Sequence, residues 1–269
     1  METLKKLTPA ETLVLRDTSQ ASFRDLLKFT LIDLILKKVL VVRNESNPEP
    51  EEENKVAYKN LEKGPAYDSY QPKAHEWIYL APYEKDADLS IQFRHLVKMG
   101  WESARSRNNY LFKQVLMSKD IARAAKEGWF YRTFGYCNLT PEGQLLQQRV
   151  NAELGKLADI LPNLIENNPE GAKELMGHIY GNIMLVPSFD YSLLKQLDEV
   201  FEEELIERNT DMHTDTAAIW FFFLYDDFHS SFDSEYDSYG GDSGWGGGGC
   251  SGGDGGGCSG CGGCGGCGG

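Results

Sequence analysis

Nineteen of the 28 glycines fall in the last 30 residues, from Gly240 to Gly269. Glycine loses more backbone entropy on ordering than any other residue, and this stretch has almost no apolar side chains to offset that loss. A packed core must therefore be built before Gly240, and the segment 229–269, acidic and then Gly/Cys-rich, is expected to be disordered. The 269-residue chain is long enough for one large domain or two to three small ones.

Charge is unevenly distributed. Residues 1–66 are balanced, with 11 Lys/Arg and 11 Asp/Glu, and residues 67–165 carry 13 against 11. Residues 166–269 carry 3 against 19, which accounts for the net charge of −14. An acidic surface repels a phosphate backbone, so the last third argues against nucleic acid while the first two-thirds remain eligible. Met1–Leu7 is polar and leads straight into a helix. The longest apolar runs, 31–36 and 217–225, are about half of the roughly 20 residues a membrane span requires. A cytoplasmic location is the expectation.

Local signals place the elements. Thr8-Pro9-Ala10-Glu11 reads as an N-cap, a first-position proline and a capping box. A second helix starts near Ser22, with Asp25 three residues on and a wide apolar face from Phe23 to Ile35; Lys37 and Lys38 follow where cations suit a helix C-terminus. Val39–Arg43 reads as a strand, 44–54 as an acidic loop and Val56–Leu61 as the return strand. Helices followed by a hairpin have the layout of a winged helix. A similar order recurs, with helices predicted over Leu89–Met99 (ended by Gly100), Asn109–Glu127 and Thr140–Ile160, and a second hairpin over 129–131 and 136–139. Pro162 and Asn167-Asn168-Pro169 mark a boundary, after which 170–180 and 190–208 read as helical. The expected fold is mainly α with small β-hairpins: winged-helix-like units over 1–66 and 67–160, a helical part over 161–228, and the tail.

The N-terminal pattern LTPAE (residues 7–11) with LIDLILKKVLVV (31–42), coupled to the final GCGGCGGCGG (260–269), resembles a group of uncharacterised bacterial proteins in which a helical, winged-helix-like region precedes a low-complexity tail. The resemblance covers about residues 7–43 and 250–269. It implies an architecture and no activity.

Cys258, Cys261, Cys264 and Cys267 stand three residues apart, with Cys250 upstream. Four thiolates on a glycine chain can close around zinc or another soft ion. They can equally be sites of modification or cross-linking, or a compositional repeat without a site. Between Arg94 and Arg132 there are nine cations against three acids. With 109–127 as the second helix of a helix-turn-helix, Arg105, Arg107, Lys113, Lys119 and Arg123 would meet phosphates; a solvated helix face is the plainer reading. Asp211, His213, Asp215, Asp226, Asp227 and His229 have metal-compatible types but read as an acidic linker, His75, His95 and His178 as surface or core histidines, and Cys137 as a buried structural thiol. Before the Gly-rich tail the chain has no GxSxG, P-loop or GxGxxG pattern. The expectation is therefore a non-enzymatic protein-interaction module with another protein as partner. A nucleic-acid-binding winged-helix regulator and a metal- or thiol-handling protein acting through the tail are the alternatives.

Overall fold

A computed structural model describes residues 1–17, 21–45, 58–86, 88–125, 138–187 and 228–239. The chain is mainly helical with a small antiparallel sheet. α1 spans Pro9–Arg16; Thr8 Oγ1 accepts from the Glu11 N–H while the Glu11 carboxylate accepts from the Thr8 N–H, so the capping box forms as read. α2, Phe23–Leu36, is capped by Ser22 and buries ten of its 14 residues. It ends in a Schellman turn: the Val39 N–H reaches Leu34 O and the Lys38 N–H reaches Ile35 O, both at 2.9 Å, with Lys38 at φ 56°. The chain then enters β1 (Leu40–Glu45), which pairs with β2 (Tyr58–Lys63) from Leu40↔Lys63 to Glu45↔Tyr58.

Tyr67–Ser69 forms a 3-10 turn, and Trp77–Leu80 forms the short helix α3. β3 (Ile91–Gln92) then pairs with β2, giving the sheet order β1-β2-β3, so backbone hydrogen bonds join residues on either side of position 66. α4 runs over Phe93–Ala104. Gly100 does not end it, as the sequence predicts, but lies inside it: a Cβ there would come within 2.3 Å of the Tyr79 ring. The helix stops instead at Arg105, at φ 66°.

The helix predicted over 109–127 is not continuous. α5 (Arg107–Tyr110) opens into a π-type turn over Leu111–Val115, with the Leu116 N–H on Leu111 O at 2.9 Å. Tyr110 and Val115, and Leu111 and Leu116, are all buried. Spacings of five stack on one side of a π turn and not of an α-helix, so packing sets the wider winding. An antiparallel bridge joins Ala125 to Leu139, while the rest of the second predicted hairpin lies outside the described residues.

α6, Pro141–Asn167, is capped by Thr140 and packs on α1. It passes through Pro162, where the sequence predicts a boundary; burial of Leu161 and Ile165 on both sides carries the helix past the missing N–H. Gly155 on this helix has no described atom within 4 Å of the position a Cβ would take. Gly155→Ala is therefore expected to stabilise the fold by about 0.5–1 kcal/mol, read as a higher urea midpoint. α7 (Pro169–Ile179), capped by Asn168, leads to a 3-10 stretch, Tyr180–Leu185, packed against α1 and α2.

Residues 228–238 form one more helix, α8, where disorder is predicted from His229. Phe228, Phe232 and Tyr236 repeat every four residues and are all buried, supplying an apolar stripe that the surrounding serines and acids conceal. One hydrophobic cluster runs from Leu4 through α2, α4 and α6 to Tyr236.

Candidate functional site

Two arrangements are unusual enough to be candidates. The first is a buried ionic network where α1, α2, the 70–76 segment and the 3-10 stretch meet. Asp33, in the last turns of α2, and Glu76 are almost completely buried. The Lys37 ammonium lies 2.6 Å from Asp33 Oδ2, 3.7 Å from Glu76 Oε1 and 3.1 Å from the Tyr70 hydroxyl, between the Tyr70 and Tyr180 rings. The Tyr70 hydroxyl donates to Glu76 Oε1 at 2.6 Å, and the Lys73 N–H donates to the other Glu76 oxygen. Asp33 Oδ1 accepts from the Gly181 N–H at 3.0 Å. Alongside, fully buried Glu11 pairs with Lys73 at 2.7 Å, and Lys73 also reaches Asp120. Thr8 Oγ1 lies 2.9 Å from His75 Nε2, and Asn182 Nδ2 donates to Leu4 O and Leu7 O.

Burial works against the Lys37 charge, but Asp33 and Glu76 outweigh it and hold the ammonium above its ordinary range. Burial pushes the Tyr70 hydroxyl up, reinforced by Glu76, and pushes the Glu76 carboxyl up against the pull of Lys37. Lys37 is thus held among groups of its own fold, and the network acts as a clamp joining four segments. Burial, with help from Lys73 and Lys37, lowers His75 to about 3. A neutral folded-state imidazole contributes stability that is present above the ordinary value near 6.5 and is lost as pH falls toward 3. Between pH 6.5 and 4.5, above the onset of the lowered Glu153 carboxyl, stability should fall with a slope approaching about 1.4 kcal/mol per pH unit, opposed in part by Glu76. His75→Gln should flatten that slope in urea melts; parallel profiles would contradict the assignment.

The second arrangement is the groove between α2 and α4 that holds α8. Phe93 of α4 meets Phe228 with ring centroids 5.0 Å apart at 72°, and Phe232 at 6.4 Å. Phe23 of α2 meets Tyr236 edge-on at 6.2 Å, and Phe29 meets His229. These tilted contacts suit the ring quadrupoles. Charge follows the same line. Lys28, whose side chain is only 6% exposed, pairs with Asp233 at 2.8 Å; Arg24 pairs with Asp237 at 2.9 Å and covers the Tyr236 ring. Lys98 lies over the Tyr239 ring, and the Tyr239 hydroxyl reaches Arg94 O.

The residues singled out by sequence are elsewhere. Arg105, Lys113, Lys119 and Arg123 are exposed; Arg107 is half-buried, and its Nε donates to Ala21 O. They are distributed over the end of α4, α5, the π turn and the turns beyond it, and do not share a recognition helix. Cys258, Cys261, Cys264, Cys267, Cys250, Cys137 and the 211–227 acids lie outside the described residues. Among the described residues no three His, Cys, Asp or Glu side chains are grouped to hold a metal, and no helix is long and apolar enough to cross a membrane. His95 and His178 are exposed, while His75 is a core histidine. Sequence reasoning missed the ionic network and the groove. The available signals were Asp33 within an apolar run four residues before Lys37, and the spacing of Phe228, Phe232 and Tyr236.

No family model, curated protein or solved structure matches this chain. Its function has to be argued from its own geometry.

Proposed function

We propose that the chain is a cytoplasmic, non-enzymatic protein-interaction module whose working surface is the α2/α4 groove. One observation carries the reading: an amphipathic helix lies in that groove by aromatic anchors at i, i+4 and i+8 with flanking ion pairs, the mode by which helices are recognised between proteins. The clamp around Lys37 supports a rigid frame for such a surface.

The test is affinity purification from the native cell of full-length wild type and of an Arg24→Glu/Lys28→Glu variant confirmed to be folded. A stoichiometric partner protein whose recovery differs at least tenfold between the two is expected. An identical set of partners from both proteins would remove the groove from the reading. A second reading, nucleic-acid binding, is supported by the exposure of Arg105, Lys113, Lys119 and Arg123 and by the winged-helix-like order of α1, α2, β1 and β2. It predicts affinity for duplex DNA or RNA that falls steeply with salt and weakens in Arg105→Ala/Arg123→Ala.

A further inference from the structure

We infer that α8 is a built-in occupant of the α2/α4 groove, and that the groove is a receptor for a partner protein's helix of the same chemistry: aromatic residues at i, i+4 and i+8 with carboxylates at i+5 and i+9. The inference rests on the interaction-module reading and specifies its partner.

The pattern follows from what the groove demands. Phe228, Phe232 and Tyr236 are buried, and successive rings stack along the helix at 6.1 Å and 22°, then at 6.4 Å and 16°. Phe93 and Phe23 meet this column from α4 and α2. The carboxylates at i+5 and i+9 are Asp233 and Asp237. Lys28 is the discriminating residue: its ammonium has Asp233 at 2.8 Å and Asp25 only at 3.9 Å. An occupant without an acid at that place leaves a nearly buried cation short of its main partner, which disfavours wrong helices. The two acids of the occupant face cations of the receptor at every close ion pair, so the interface is complementary in charge as well as in shape.

Outside its buried stripe α8 is polar. The outward positions of α8, Ser230, Ser234 and Ser238, are exposed, and its apolar face is confined to the aromatic stripe. A partner helix with the same anchors competes for the same site.

The experiment uses the full-length chain and a fluorescein-labelled peptide of residues 228–239. The Phe232→Ala/Tyr236→Ala chain, which weakens the resident helix and keeps the groove, should bind the peptide at least tenfold more tightly than wild type does. Adding Lys28→Glu should lower that affinity at least tenfold, and a peptide carrying Asp233→Lys should restore it. A folded double variant that fails to bind overturns the inference. In case that variant unfolds, hydrogen exchange is read on wild type: saturating peptide should strip amide protection from 228–238 and leave 23–36 protected, and unchanged protection of 228–238 overturns the inference equally. A dimer formed by exchange of α8 between two copies, seen by sedimentation, would overturn the partner and install a second copy in its place. Peptide binding without any partner in the cell would defeat the module reading alone; a groove-independent partner without peptide binding would defeat this inference alone.

Discussion

Lys37→Met is expected to lower stability by about 3–5 kcal/mol, the range for removing one partner of a buried ion pair. The methionine fills a similar volume, so the loss reports charge and not a cavity. It strands two carboxylates: Asp33, 2.6 Å from the ammonium, and Glu76, hydrogen-bonded to Tyr70 and Lys73. Both are nearly inaccessible to water. Without the cation, the Glu76 carboxyl, which burial already pushes up, takes a proton in the folded state. Its folded-state pKa then lies above the ordinary carboxyl value, so the variant keeps its stability below about pH 4.5 and loses it as pH rises. Urea melts should show a deficit that is clearly smaller at pH 5 than at pH 8. Lys37→Met/Glu76→Gln should recover part of the loss, because the neutral amide oxygen can still accept from Tyr70, although its NH2 cannot replace the oxygen that accepts from the Lys73 N–H. Stability equal to wild type at pH 8 would show that the clamp contributes nothing.

Gly100→Val should cost about 3 kcal/mol, the upper end of overpacking penalties. A single Cβ at this position would lie 2.3 Å from Tyr79 Cε1. The Tyr79 ring cannot yield easily, since it is fully buried and its hydroxyl donates to Leu27 O at 3.3 Å. Combining the change with Tyr79→Leu, which removes the obstructing ring, should cost less than the sum of the two single variants, a coupling that marks direct contact. Additive losses would place the strain elsewhere. Gly155→Ala, a helical glycine facing open space, is expected to act in the opposite direction, so residue type and helix location alone do not set the sign.

Much of the fold was legible because its signals are local. The caps at Thr8, Ser22 and Thr140 and the β1–β2 hairpin formed where the pattern placed them, within a few residues at the strand ends. The misreadings have a common origin. Gly100 and Pro162 punctuate a sequence, yet here one makes room for a ring and the other is carried by buried neighbours. The segment after Arg107 has the composition of an α-helix, but burial at spacings of five winds it wider. α8 was lost among serines and acids because three aromatics in 11 residues lift the average hydrophobicity little. The candidate site was less legible still: the Glu11 capping box and the Asp33/Lys37 spacing are local, whereas the Lys73, Glu76 and Asp233 partners come from far along the chain.

The sequence by itself determined where helices start, where the hairpin turns back, which faces are apolar, and that the last 30 residues have almost nothing with which to build an apolar core. Those outcomes depend on hydrogen bonds and side-chain periodicity among residues a few positions apart. Only the tertiary structure decided that Lys37 would be buried between two acids, that Gly100 would receive a tyrosine ring, and that α2 and α4 would form a groove for α8. Each of these joins residues tens to hundreds of positions apart, whose meeting is set by how the apolar faces pack together and by no pattern within any one of them.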